Sequence, residues 1–227
     1  MRSLRNVSIF SEVSSHVLTA IANRCRWHTC DAGEVVISHC DASRDIFFLT
    51  EGHARVIVYA VGGKTVAFRD MAPGDVFGEM SAIDGKPRSA SIEAQTRCVV
   101  AALPADQLWT ILEEEPSVVR ALLLHLVAQV RVLTRRILEF STLTAADRIR
   151  AELLRLAGGH ERRDGSALID PAPHQAEIAE KISSQREAVA REFGRLKELG
   201  LIERKGSGLL IKDVARLKRM LDEVSET

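Results

Sequence analysis

Two stretches of the chain carry side chains whose types and spacing suit recognition chemistry. In the first, Gln175 to Gly200, Ile178, Ala179 and Ile182 form one helical apolar set, and Val189, Phe193 and Leu196 form the next. Ser183-Ser184 breaks the pattern between them. Ser184 with Glu187 reads S-x-x-E, which predicts a capping box opening the second helix. Gln185, Arg186, Glu187, Ala190 and Arg191 are then left off the apolar face, toward the N-terminal end. An arginine can donate two bonds to guanine O6 and N7, and a glutamate can accept from cytosine N4. Arg186 and Glu187 are therefore candidates for reading base edges, with Arg191 reading another base or steadying Glu187. Ser184, Gln185, Arg195 and Lys205 complete the candidate DNA-contacting set, and Lys197 and Lys212 can also meet phosphates.

The second stretch is Gly74-Asp-Val-Phe-Gly-Glu-Met-Ser-Ala-Ile-Asp-Gly-Lys-Pro-Arg-Ser-Ala-Ser91. Asp75 and Glu79 form a potential carboxylate pair, but no base, nucleophile or second cluster joins them, so the expectation is a non-enzyme. Gly63-Lys64-Thr65 ends like a phosphate-binding loop, yet Val58 stands where that motif needs its first glycine. It reads as a hairpin turn. Cys25, His28, Cys30, His39 and Cys40 raise a metal site, but they are widely spaced on predicted strands, where free cysteines commonly pack as core. No metal is expected, and His125 is expected to be structural.

Composition narrows the classes. The 227 residues are 46% hydrophobic and 27% charged, which is ordinary globular usage, and only 4% aromatic, so the core is aliphatic. Lys+Arg and Asp+Glu are 31 each, which excludes a uniformly basic coat but not a local basic patch. No uninterrupted apolar run reaches the roughly 18 residues of a membrane span. Met1 to Asn6 lacks the apolar stretch of a secretory signal. The four cysteines do not read as a disulfide framework. The expectation is a cytoplasmic protein with free thiols and no membrane contact.

These residues need elements to hold them. Glu34–Ile37, Asp45–Thr50, His53–Ala60 (alternating Ala54, Val56, Val58), a run with Val66 and Phe68, Ser89–Glu93 and Arg97–Ala102 read as strands. Gly62-Gly63 marks a hairpin turn, and the last two strands are expected to pair around Gln95-Thr96. A small barrel or sandwich is implied. Pro116 suits the first turn of a long helix, with Glu113, Glu114 and Glu115 at the positive end of its dipole. Val119, Leu123, Leu126, Val130, Leu133, Ile137 and Phe140 are spaced 4-3-4-3-4-3, an a/d seam for a second copy. Leu122, Leu124 and Val127 offer a second face for the helix's own domain. The helix should stop near Ser141. Thr144 with Asp147 predicts a new N-cap, and the next helix runs from about Ala145 to Ala157. Leu201–Arg204, Lys205-Gly-Ser-Gly208 and Leu209–Lys212 read as a hairpin, which after a helix-turn-helix makes a winged helix.

In that order the elements resemble the Crp/Fnr family of bacterial transcription regulators, closest to its cyclic-AMP receptor branch. Phe77-Gly-Glu-Met80 with Pro87-Arg-Ser-Ala90, and Ser183-Ser-Gln-Arg-Glu-Ala-Val-Ala-Arg191, carry the resemblance. It implies an α+β chain: a jelly-roll β-roll for cyclic nucleotides in residues 1–115, a dimerisation helix in 116–141 and a winged helix-turn-helix in 142–227. It implies cAMP or cGMP as an allosteric ligand. Glu79 would take the ribose hydroxyl, Arg88 and Ser89 the phosphate, and Gly78 and Met80 would supply close backbone and packing. Ser81, Ala90 and Gln129 belong to the same candidate set, as does Thr134, placed near the base. Leu133 stands where a second hydroxyl is frequent, which leaves adenine and guanine both open, and Cys40 stands where a glycine is frequent. Implied partners are double-stranded DNA with TGTGA-like half-sites one helical turn apart, a second copy, and RNA polymerase. Ligand would act by moving a hinge at Ser141–Thr144. The alternatives are a regulator of the same family sensing an iron–sulfur, redox or other small-molecule signal, or one binding DNA constitutively.

Overall fold

The strand Ile46–Glu51 shows how the first half is layered. Successive side chains of a strand point to opposite faces. Here Phe47 and Leu49 enter one apolar cluster and Ile46 and Phe48 another. A strand with four successive apolar residues, here Ile46 to Leu49, must be covered on both sides, and this one is. In the computed structural model, which describes residues 3–59 and 65–225, the strands are β1 (Arg26–Cys30), β2 (Val35–Ile37), β3 (Ile46–Glu51), β4 (Ala54–Tyr59), β5 (Thr65–Met71), β6 (Val76–Phe77), β7 (Ser91–Ala94) and β8 (Cys98–Leu103). They form two four-stranded antiparallel sheets, β1-β8-β3-β6 and β2-β7-β4-β5. Between the sheets lie Phe47, Leu49, Phe77, Val100 and Ala102 from one and Ile37, Ala54, Met71 and Ile92 from the other. The outer face of the first sheet is covered by the N-terminal segment, including a 3-10 turn at Ser8–Phe10, and by α1 (Ser15–Arg24) and α3 (Ala105–Glu114); α2 (Glu79–Asp84) adds Ala82.

Several expectations change here. β7 and β8 do not pair with each other: β7 joins β2 and β4, while β8 joins β1 and β3. Gln95-Thr96 crosses between sheets instead of closing a hairpin. In β4 the alternation slips, because a bulge between Val56 and Ile57 puts Ile57, not Val58, in the core. Glu113 and Glu114 end α3, and Glu115 is its C-cap, so they do not open the long helix. The Gly62-Gly63 turn and Lys64 lie outside the described residues.

The long helix α4 is Pro116–Thr142. The chain divides into two compact units, Met1–Val130 and Arg131–Thr227, with the boundary inside α4. In the first unit Val118 and Leu122 are buried, but Leu124 and Val127 are exposed, so the second face is narrower than expected. Most of the seam is exposed, including Leu123, Val130, Leu133 and Ile137 at 48–67%. An 18-residue window of α4 has mean hydropathy 1.5, and by length and composition this helix could cross a membrane. The expectation of no such segment looked for an unbroken run; here polar residues interrupt a high average.

The second unit packs α5 (Ala145–Ala157), β9 (Ala167–Ile169), α6 (Gln175–Lys181), α7 (Arg186–Glu198), β10 (Ile202–Lys205), β11 (Gly208–Ile211) and α8 (Val214–Ser225) around one aliphatic core. Thr144 caps α5 as expected: its hydroxyl accepts from the Asp147 N–H at 3.3 Å and donates to the Asp147 carboxylate at 2.5 Å. The wing is β10-β11 with β9 added beyond it, turning at Gly206-Ser207.

Candidate functional site

Gly78 ends β6 at φ 76° and Gly85 ends α2 at φ 70°, so both turns around this short helix use left-handed backbone. The segment then returns through Arg88 into β7. Arg88 is 3% exposed. Its Nε donates to Ser43 Oγ at 3.2 Å, Nη1 to the Gly78 carbonyl at 2.9 Å and Nη2 to the Asp45 carbonyl at 2.8 Å. The guanidinium lies 5.4 Å from the Phe47 ring centroid, and Phe47 stacks on Phe77 at 5.2 Å. The main chain is fixed too: Arg88 N–H donates to Asp41 O at 2.9 Å, and Cys40 N–H to Arg88 O at 3.0 Å.

All three acceptors of this guanidinium are neutral. Among the described residues no carboxylate is within ion-pair distance of it; the Asp45 carboxylate pairs with Arg26 instead. Burial draws the Arg88 pKa down, against the pull of Asp45, Asp41 and Glu79. A buried cation without a counter-charge is costly. A guanidinium has five donors, so after these three bonds two remain for an anion.

Glu79 is half-buried in the first turn of α2, a carboxylate able to accept from a hydroxyl. Met80 is 54% exposed, and the exposed Ser89 hydroxyl donates to its sulfur at 3.7 Å. Ala90 is half-buried, whereas Ser81 is 2% exposed and lies within the protein. On α4, Gln129 Nε2 is 3.4 Å from His125 Nε2. Burial lowers the His125 pKa, Glu79 and Asp75 oppose that shift, and Arg69 reinforces it, so His125 lies within electrostatic reach of Glu79. Leu133 and Thr134 are exposed and belong to the other unit. Gly78, Arg88 and the first turn of α2 are thus brought together. The sequence does not single out Ser43, Asp45 and Phe47 for this site, and His125 is expected there only as a structural residue. They come from distant segments, and only spatial proximity identifies them.

In the second unit Val189, Phe193 and Leu196 seat α7 in the core, leaving Gln185, Arg186, Glu187, Arg191 and Arg195 exposed, with Ser184 half-buried. Lys205 is exposed beside the wing turn. The predicted capping box does not form. α7 starts at Arg186 with Gln185 as N-cap and no side-chain cap. Ser183 adopts φ 51° and the Ser184 N–H is taken by Ala179 O at 2.9 Å, which spends the turn one residue later than expected. Glu187 is consequently not a cap, and no ion pair joins it to Arg191 among the described residues. Both are available to a partner.

Cys25, Cys30 and Cys98 are buried and Cys40 exposed. Burial pushes the Cys25 thiol up to about 12. Among the described residues no three His, Cys, Asp or Glu side chains are grouped to hold a metal ion.

The family model for the cyclic nucleotide-binding domain matches residues 27–115, and that for the Crp-like helix-turn-helix domain matches residues 147–220. The chain belongs to the Crp/Fnr family. This Crp/Fnr regulator is 24% identical over 217 residues to the CRP-like cAMP-activated global transcriptional regulator of Mycobacterium tuberculosis, covering 95% of this chain and 97% of that one. Its fold matches a mutant of CooA from Carboxydothermus hydrogenoformans with TM-score 0.82 at 19% identity, covering 95% of each chain. It also matches the c-di-GMP responsive global regulator CLP of Xanthomonas campestris, with TM-score 0.74 at 17% identity, covering 87% of this chain and 99% of that one. The Crp/Fnr regulator is a DNA-binding transcription regulator with a cyclic-nucleotide-binding domain, and it is not an enzyme.

Proposed function

We propose that the chain is a homodimeric transcription regulator in which cAMP or cGMP, bound in the β-roll, sets the two DNA-reading helices for a pseudo-palindromic site. The observation that carries this is Arg88: a buried guanidinium with donors to spare and, among the described residues, no ion-paired carboxylate suits a small anion, and the cyclic phosphate is one. Glu79 takes the ribose 2′-hydroxyl, Ser89 and the backbone at Gly78 to Met80 flank the phosphate, Ala90 and Gln129 are assigned to the base side, and Thr134 is assigned a base contact by the family resemblance alone. Ser81 supports the helix from within. Leu133 offers no hydroxyl, which favours a base contact through Thr134 alone and leaves both purines as candidates. cAMP is the first choice because the Mycobacterium tuberculosis relative is cAMP-activated.

Functionally the chain divides into the roll at 1–115, the dimer helix at 116–141 and the reader at 142–227, so the dimer helix spans the boundary of the two compact units. Arg186, Glu187 and Arg191 read a TGTGA-like half-site, while Gln185, Ser184, Arg195 and Lys205 meet the backbone. A cytoplasmic location and contact with RNA polymerase follow from that role. The second reading keeps the fold and exchanges the ligand for another small anion, favoured by the apolar Leu133.

Calorimetric titration with each nucleotide, followed by DNA binding at fixed salt with and without it, tests the proposal. Arg88→Leu should abolish the nucleotide response and leave the dimer intact. A wild-type protein that binds neither nucleotide, or an Arg88→Leu variant that responds normally, refutes it.

A further inference from the structure

The second unit contains a charge cluster centred on a residue outside the candidate DNA-reading set. Glu152 of α5 is 2% exposed. A carboxylate removed from water needs cations around it, and they come from three helices. Arg155 of α5 is hydrogen-bonded to it, Arg136 of α4 is 3.8 Å away, and Lys181, the last residue of α6, is 3.8 Å away. Arg136 also donates from Nη1 to the Lys181 carbonyl at 2.8 Å, satisfying one of the carbonyls a helix end leaves without a partner. Arg155 reaches back to both carboxylate oxygens of Glu139 on α4, at 3.0 Å each. From α5 the buried Arg150–Glu192 pair, 2.7 Å, continues to α7.

The contacts of Arg136 and Glu139 straddle the short link between α4 and α5. Bending at Ser141–Thr144 would pull Arg136 off the Lys181 carbonyl and Glu139 off Arg155. It would leave the buried Glu152 without one of its three cationic partners. A hinge there works against two hydrogen-bonded contacts that cross the link, Arg136 to the Lys181 carbonyl and Arg155 to Glu139. We propose that the Glu152 cluster is a positioning clamp, holding residues 136–142 of α4 and the reading helix α7 as one rigid body. Movement of residues 136–142 is then delivered to the reader directly, and flexing takes place N-terminal to Arg136. Its regulatory meaning rests on the proposed DNA-reading role; the rigid body does not.

The test uses the full chain without nucleotide or DNA. Spin labels are placed by Leu138→Cys on α4 and Glu198→Cys on α7, in a Cys40→Ser background, and labelled chain is diluted with excess unlabelled chain. Wild type should give one narrow distance. Arg136→Gln and Glu152→Gln should at least double its width, and Arg136→Lys, which keeps a donor for the Lys181 carbonyl, should restore most of the narrowing. A broad distance in the wild type refutes the clamp. So does a folded Arg136→Gln protein as narrow as wild type, and that variant decides the matter if Glu152→Gln does not fold. DNA affinity of the unlabelled wild type with and without cAMP or cGMP is measured alongside. Its indifference to either nucleotide would refute the ligand reading and leave the label widths to decide the clamp.

Discussion

Two glycines bracket α2, and they separate backbone strain from damage to the proposed anion site. At Gly78 a Cβ would stand 2.7 Å from Arg88 Nη1, 3.1 Å from Asp45 O and 3.3 Å from the Phe47 ring. At Gly85, with nearly the same φ, a Cβ would meet only the exposed Arg44 side chain, no closer than 3.5 Å. Alanine at either position takes on a left-handed backbone, about 1–2 kcal/mol of stability. Gly78→Ala must also move Arg88. Its bonds to Gly78 O and Asp45 O are charge-assisted, and such bonds contribute about 1.5–3 kcal/mol each. The guanidinium that leaves them no longer presents its spare donors in the same place. Losing one charge-assisted bond to a phosphate, again about 1.5–3 kcal/mol, weakens binding roughly 10- to 150-fold. Denaturant unfolding and nucleotide calorimetry on both variants give the comparison. Gly85→Ala should lose stability and keep nucleotide affinity within about twofold, while Gly78→Ala loses both. Equal affinity losses at the two positions, or none at Gly78, would refute the claim that Arg88 holds the anion.

Three further expectations follow from named groups. Arg186→Ala should cost about 1–3 kcal/mol of discrimination at one guanine position; competition binding of specific against scrambled duplex at one salt concentration checks it, and an unchanged ratio counts against the reading helix. Val130→Glu should convert the protein to monomer in sedimentation and weaken binding to a full site far more than to a half-site. His125 has a folded pKa below its unfolded value because it is buried. In the window just below 6.5 the unfolded chain therefore binds a proton the folded chain does not, so stability is full above that pH and declines as pH falls through it. Unfolding midpoints at pH 7.5 and 5.5 should differ more in the wild type than in His125→Gln.

Strands were legible where an apolar run met a turn residue, as at β3 and at the wing. A strand was expected around His28 and Cys30, but the bounds of β1 were not legible, because only Cys30 is buried in Arg26–Cys30 and the rest has no alternation to detect. The bulge in β4 is invisible to a period of two, and the sheet exchange between β7 and β8 depends on neighbours far along the chain. For the site, the residue types were legible and their partners were not. Arg88 stood in a recognisable motif, but the Asp45 carbonyl and the Ser43 hydroxyl that hold it are 43 and 45 residues earlier. Cys40, noted for standing at a glycine position, adopts φ 65°, so the backbone there keeps the conformation glycine would take.

Helix α4 unites these threads. Twenty-seven residues at 1.5 Å each make a helix of about 40 Å, long enough for a bilayer, yet Arg120 and Arg131 would each cost about 2.5–3.5 kcal/mol at the centre of one. Val118 and Leu122 are already committed to one folded unit, and Arg136 and Glu139 to the other. Between them Leu123, Val130, Leu133 and Ile137 keep the 4-3 rhythm of a surface awaiting a second helix. Full burial of such a side chain contributes about 1.5–3 kcal/mol, and these are about half exposed, so each contributes roughly 1 kcal/mol per protomer. Four from each of two chains approach the ~8 kcal/mol of a micromolar dimer before association costs. Leu133 is then both a seam residue and a neighbour of Thr134 in the candidate ligand set. Were a nucleotide to contact Thr134, as the proposed function has it, it would bear on the same turn that sets the seam. Under the proposed function it can shift the pair only by binding one packing of that seam more tightly than the other.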